Sequence, residues 1–338
     1  MILVLDLKRQ GLQKNWENYG FTHNGRIEVL DLMPGGVLSN MKRLNKVSQL
    51  LPQTEVLFIF ALRPIELFIL SILSKNTQVI LIQHGIFVPK MKREVGGMFR
   101  KSKEVVLYLI SLWKLGALNW SSFAWILGRK EFRQTGLYHL ASRVDKILVY
   151  SEYWQNYFQE NFGVQGSFRY VGNPDSILYS DKTIKVDGLV YVAQTLIEDS
   201  RLSKSDWKRF IMQLNDYILN NNIPELHIKL HPRTDKSIFN EIDDRIPITY
   251  YLSDLPESSM ILGHYSTLLG LYWLRGHEVL IYEFKGHKTP EFMPRYRTSD
   301  FVEYFYTYNT NSVAYYYGKE LSTYSIEIQN ILDDNTWS

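Results

Sequence analysis

The stretch Leu226-His227-Ile228-Lys229-Leu230-His231-Pro232-Arg233-Thr234-Asp235-Lys236 decides how this chain is read. Leu226, Ile228 and Leu230 alternate with His227 and Lys229, which is the period of a strand. Pro232 has no N–H to give to a ladder, so the strand ends there. His231 is thereby placed at the strand's carboxyl end, flanked by Lys229 and Arg233. In an open parallel sheet, ligands bind beyond that end. Three cationic or cation-capable side chains there suit a phosphate-bearing ligand; the same residues also read as a strand end running into a solvated basic turn.

On either side of this stretch strands and helices alternate. Before it come a strand at Gly188–Val192 and a helix near Ser205–Leu219. After it come a helix near Lys236–Ile242, a strand at Met260–Leu262, a helix at Thr267–Leu274 and a strand at Val279–Tyr282. The first half repeats the pattern: strands at Ile2–Leu5, Arg26–Leu30, Val56–Phe60, Gln78–Gln83, Lys146–Tyr150 and Phe168–Val171. Helices are expected from Ser39, as N-cap, through Leu51, from Pro64 to about Leu73, and over Glu152–Phe162, with MPGG at 33–36 as a turn. Such alternation predicts an α/β fold with parallel sheets. Lys182–Asp187 is polar and reads as a linker, which predicts one domain over 1–178 and a second over 186–338, the latter closing on a helix at Ile326–Leu332. Residues 86–143 interrupt the first domain as a helical insertion. Pro89–Lys103 carries six lysines and arginines, and Val105–Leu127 reads as an aromatic helix. That insertion reads as a cover for the sheet, as a segment lying on an anionic membrane surface, or as a closure over an acceptor.

The 338 residues fit two domains. At 45% hydrophobic and 22% charged the composition is globular, and a net charge of +3 makes no case for nucleic acid. The chain has no cysteine, which excludes disulfides, thiolate catalysis and cysteine metal sites and fits a reducing cytosol. MILVLDLKRQ is too short and too soon charged for a signal peptide. Val56–Leu73 comes nearest to a membrane span, and Arg63, Pro64 and Glu66 interrupt it.

Each half places a histidine just beyond a strand: His84, followed by Gly85, in the first, and His231 in the second. Two facing domains would bring both to one cleft, the usual place for a ligand. A neutral imidazole takes a proton from an incoming hydroxyl near neutral pH, which suits His84 as general base. A histidine beside Lys229 and Arg233 suits a phosphate or a leaving group. For each histidine a structural role is the alternative. Gly263-His264-Tyr265-Ser266-Thr267 joins a strand to a helix, where hydroxyls and free N–H groups form an anion site or Ser266 or Thr267 simply caps the helix. Gln194-Thr195 adds a fourth loop on the same edge. Glu283 adds a fifth, where a carboxylate accepts from ribose hydroxyls or pairs with Lys285.

The order of these motifs resembles that of bacterial surface-polysaccharide transferases of the GT-B type, in which two Rossmann-like domains face each other across a cleft. Gln194-Thr195, then Lys229-Leu230-His231-Pro232-Arg233, then Gly263-His264-Tyr265-Ser266-Thr267, are similar to motifs of capsular polysialyltransferases and lipooligosaccharide sialyltransferases. There the His-Pro and Ser/Thr motifs hold the CMP part of a CMP-sugar. Gln83-His84-Gly85 and Pro89-Lys90 look like the motif of capsule Kdo transferases and CDP-glycerol glycerophosphotransferases, in which the histidine of His-Gly is the proposed base. Gly172-Asn173-Pro174 also recurs in those groups, and the resemblance spans about 80–290. It implies a cytoplasmic glycosyltransferase, peripheral on the inner membrane, that moves a sugar from a CMP-sugar such as CMP-sialic acid or CMP-Kdo to an oligosaccharide or lipid-linked glycan. His84 and His231 would be catalytic. Gln194, Thr195, Lys229, Pro232, Arg233, Gly263, His264, Ser266, Thr267 and Glu283 would bind the donor, with Gly85, Lys90, Gly172 and Asn173 on the acceptor side. The chain lacks the paired acidic residues followed by glycine that serve sialyltransferases as base, which either removes sialic acid as donor or moves the base role to His84. It has no Asp-X-Asp motif, so no metal or other cofactor is expected. A CDP-glycerol or ribitol-type phosphotransferase and a sugar-nucleotide epimerase of similar two-domain fold are the alternatives, with a catalytically dead glycan-binding partner as a third.

Overall fold

The structure, a computed structural model, describes residues 1–6, 27–31, 37–83, 102–127, 130–172, 179, 182–198, 201–264, 266–282, 284, 295–297, 305–308 and 330. These fall into two units. One holds the described residues up to Gln83, those from Ser102 to Gly172, and Asn330; the other holds those from Tyr179 to Tyr308.

In the first unit, β1 (Ile2–Asp6) and β2 (Ile27–Asp31) lead to α1 (Val37–Leu50), then β3 (Val56–Ile59), α2 (Pro64–Ile72) and β4 (Gln78–Ile82). Helices α3 (Ser102–Lys114) and α4 (Trp120–Ile126) and the short α5 (Tyr138–Ala141) precede β5 (Lys146–Val149), α6 (Glu152–Phe162) and β6 (Ser167–Tyr170). The six strands form one sheet in the order β2-β1-β3-β4-β5-β6, every neighbour parallel. Val56–Ile59 and Ile147–Val149 are buried throughout, as interior parallel strands covered on both faces must be, while the edge strand β6 is largely exposed.

Two helix expectations are corrected here. Ser39 lies inside α1, two residues past its start, and is not its cap. Val105–Leu127 is two helices, because Gly116 at φ +66° turns the chain and the Asn119 side chain accepts from Ser122 N at 2.9 Å to start α4.

The second unit begins with β7 (Thr183–Lys185) and β8 (Leu189–Val192), followed by α7 (Lys204–Asn220), β9 (Leu226–Lys229), β10 (Ile248–Tyr251), β11 (Leu255–Glu257), β12 (Met260–Gly263), α8 (Thr267–Leu274), β13 (Glu278–Tyr282), β14 (Arg295–Arg297) and β15 (Phe305–Tyr308). Its main sheet runs β10-β9-β8-β12-β13-β15-β14. The first five are parallel and the last two antiparallel. Helix α7 lays Trp207, Phe210, Ile211, Leu214, Tyr217 and Ile218 on this sheet, the spacing of a buried helical face. Each such side chain stabilises by about 1.5–3 kcal/mol.

The α/β class with parallel sheets is therefore present in both halves. Two local readings are not. The stretch read as a linker, Lys182–Asp187, contains β7, which pairs in parallel with β11 through Thr183↔Leu255. The helix expected over Lys236–Ile242 is one 3-10 turn, Lys236–Phe239, capped by Asp235. Strands β10, β11, β14 and β15 had no counterpart in the sequence reading. The MPGG turn and all of the helix expected at Ile326–Leu332 except Asn330 lie outside the described residues.

Candidate functional site

In the second unit the chain leaves β8 toward β9 and β10 on one side, and the later strands β12 and β13 fill the other. The order reverses between β8 and β12, which pair in parallel through Leu262↔Tyr191, so the chain leaves their carboxyl ends toward opposite sides; open α/β sheets take their ligands beyond such a switch point. Ala193-Gln194-Thr195 follows β8, His264 to Ser266 follows β12, and Leu230 to Arg233 follows the adjacent β9.

The β8 and β9 loops are tied together. Arg233 Nη2 donates to Thr195 Oγ1 at 3.2 Å, Asp235 N donates to Glu198 Oε1 at 2.9 Å, and Leu196 N turns back onto Gln194 O at 2.8 Å. Pro232 turns the loop, and Thr234 N closes on His231 O at 2.9 Å. His231 Nδ1 accepts from Arg233 N at 3.2 Å. That bond assigns the proton of a neutral ring to Nε2 of a half-buried imidazole. Arg233 is exposed and Thr195 buried, so the bond between them ties the guanidinium to the β8 loop.

On the β12 side, Ser266 is the N-cap of α8, its side chain accepting from Leu268 N at 3.2 Å. Thr267 is the first helical residue. Gly263 ends β12, and a Cβ there would stand 2.8 Å from Leu269 Cδ2. Glycine is what lets α8 come this close to its strand.

Two of the expected donor ligands are committed elsewhere. Lys229 is only 3% exposed; its Nζ donates to Leu252 O at 2.6 Å and lies 5.0 Å over the Tyr179 ring. The alternation that placed Lys229 at an open tip belongs to a strand buried on both faces, with His227 likewise turned onto Asp187 O at 2.8 Å. Lys229 thus braces the fold, and in the loop after β9 the fixed positive charge is that of Arg233. His264 is 1% exposed. Its Nδ1 is 3.0 Å from Tyr282 O and its Nε2 2.8 Å from the Tyr191 hydroxyl. Burial holds its pKa down to about 4, against the pull of the Tyr282 carbonyl. It is a neutral ring that donates to one neighbour, accepts from the other and joins β8, β12 and β13. Neither nitrogen is left for a ligand.

Of the remaining expected residues, Gly172 lies in the first unit at φ +66°. His84, Gly85, Lys90, Asn173 and Glu283 lie outside the described residues. Gln83, just before His84, is buried; its N donates to Leu148 O and its Oε1 accepts from Tyr150 N, both at 2.9 Å. The chain entering the His84 position is therefore pinned to the end of β5.

The sequence reading passed over one feature of the first sheet. There the order reverses between β1 and β3, and β3 runs into Arg63-Pro64-Ile65-Glu66. Glu66 is fully buried, accepting from Arg63 N at 3.2 Å and pairing with Arg63 Nη2 at 3.1 Å. Burial pushes its carboxyl up, and Arg63 pulls it back. Proline at a helix start with glutamate two residues on is the local signal that would have found it.

No protein-family model matches the sequence, and no curated protein matches it. Among solved structures the chain is similar to a UDP-N-acetylglucosamine 2-epimerase from Rickettsia bellii, at 10% identity and a TM-score of 0.44, over 81% of this chain and 76% of that one. It is also similar to a GtfA/B complex, at 12% identity and a TM-score of 0.35, over 87% of this chain and 57% of that one. The α/β assignment rests on the sheets themselves.

Proposed function

We propose that the chain is a glycosyltransferase that takes a nucleotide sugar, a CMP-sugar by its motifs, and passes the sugar to a surface-glycan acceptor. The observation that supports the reading is the switch point between β8 and β12, at whose sheet edge stand Arg233 bonded to Thr195, His231 and the Ser266-capped start of α8. Donors of this kind stabilise a phosphate that gains charge as the bond from the anomeric carbon to its oxygen breaks. The acceptor hydroxyl oxygen forms the new bond and loses its proton to a base, the role given to His84. One direct displacement inverts the anomeric centre.

The test is a thermal-shift panel of CMP, CDP, UDP, GDP and their sugars. A ligand at about a hundred times its Kd stabilises by about 2.7 kcal/mol. A shift with CMP-sugars supports the reading; a shift confined to CDP-glycerol points to a polyol-phosphate transferase. Release of free nucleotide without any acceptor points to an epimerase. His231→Ala is expected to abolish transfer and weaken nucleotide binding, and normal turnover in that variant removes His231 from the chemistry. His84→Ala is expected to lose turnover with donor binding kept.

A further inference from the structure

We infer that the outward face of α3, with the start of α4, docks on an anionic lipid surface. Helix α3 is apolar on two sides. Leu107, Tyr108, Ser111 and Leu112 are buried against the fold. Val106, Leu109, Ile110 and Trp113, spaced i, i+3, i+4 and i+7, form a second stripe facing outward. Val106 is 41% and Trp113 67% exposed, with Leu109 and Ile110 half-buried between them. The connection to α4 adds Leu118 and Trp120, the latter 68% exposed with its ring 5.9 Å from that of Phe123. Ile72, at the end of the neighbouring α2, is exposed as well. Nine large apolar side chains stand exposed among the described residues, and these five, both tryptophans included, belong to one group of elements. Scattered exposed leucines need no account; a cluster of this kind does.

The charge along this stretch of the sequence selects the occupant. Between Glu104 and Glu131 the sequence has Lys114, Arg129 and Lys130 and no acidic residue, in a chain with 38 basic and 35 acidic side chains. Lys114 ends α3, its Nζ 5.2 Å over the Phe68 ring. It also lines a cavity of about 420 Å³ together with Ser71, Asn119, Thr135 and His139. Tryptophans beside cations, with no carboxylate between, match the headgroup layer of a bilayer containing anionic lipid. A second copy of the chain fits less well, since a twofold contact would bring the same cations face to face. At 13 residues α3 is about 20 Å long, and among the described residues no helix is long and apolar enough to cross a membrane. Docking is therefore in the plane of the surface. This inference does not rest on the donor chemistry.

The experiment floats the full chain with vesicles of phosphatidylcholine alone or mixed with phosphatidylglycerol. It compares wild type with the double variant Trp113→Ser, Trp120→Ser and with Lys114→Glu. Wild type is expected to float with the anionic vesicles, less so as salt rises. The double variant is expected to partition about tenfold more weakly or worse, with an unchanged circular dichroism spectrum and melting temperature because both side chains are exposed. Lys114→Glu is expected to weaken binding with the fold intact. Equal flotation of wild type and double variant overturns the inference, as does wild type that ignores anionic vesicles. A dimer in light scattering that the double variant abolishes, without vesicle binding by either protein, also overturns it and makes the face an interface between copies.

Discussion

Acidification should destabilise this protein through His264 alone by a calculable amount. The ring is enclosed by Phe210, Tyr282 and Phe284, with centroids at 5.2, 5.9 and 4.6 Å, and both nitrogens are already hydrogen-bonded. A second proton must enter at Nε2, where the Tyr191 hydroxyl now donates, in an aromatic shell that offers no carboxylate among the described residues to receive the charge. Burial therefore depresses the pKa from 6.5 to about 4. The unfolded chain takes up that proton near the ordinary value, so between the two values it binds more protons than the folded chain, and stability falls as pH falls. The contribution is complete above about 6.5, declines toward about 4 and is exhausted below. At about 1.4 kcal/mol per pH unit the whole span is worth about 3 kcal/mol, of which about 2 kcal/mol appears between about pH 7 and about pH 5. Urea unfolding of wild type and His264→Gln at both pH values isolates this contribution, because every other titrating group cancels in the comparison. The variant is expected to be less stable at the higher pH by about 1–3 kcal/mol, from imperfectly replaced bonds to Tyr191 and Tyr282, yet to lose about 2 kcal/mol less than wild type on acidification. Equal losses in the two proteins would refute the assignment of a buried neutral imidazole.

Two further predictions separate bracing from binding. Lys229→Met keeps the stem but removes the bond to Leu252 O, and is expected to cost about 1–3 kcal/mol of stability with the donor KM unchanged; a raised KM at unaltered stability would return Lys229 to the ligand. Gly263→Ala pushes a Cβ against Leu269 and is expected to destabilise by about 1–3 kcal/mol, measured by the same urea titrations; a variant as stable as wild type would show that α8 shifts freely on β12.

The sequence by itself determined the elements whose signal is local. Runs such as Val56–Phe60 and Lys146–Tyr150, bounded by proline or by a helix start, became strands, and Glu152–Phe162 and Thr267–Leu274 became helices with those bounds, because side-chain period and backbone stops act within a few residues. The loops beyond β8, β9 and β12 were legible for the same reason. What only the tertiary structure decided depends on partners far along the chain. Thr183–Lys185 is a strand because Leu255–Glu257 lies beside it, about seventy residues away, and nothing in its polar composition announces that pairing. Lys229 and His264 read as site residues by position. Leu252, Tyr179, Tyr191 and Tyr282 fold around them and use their polar atoms, because a buried donor or acceptor left without a partner costs more than one exposed to water. The reversal of strand order between β8 and β12, which gathers Thr195, His231, Arg233 and Ser266 at one edge, is likewise set by how the parallel strands stack their apolar faces, and it lies beyond any local pattern.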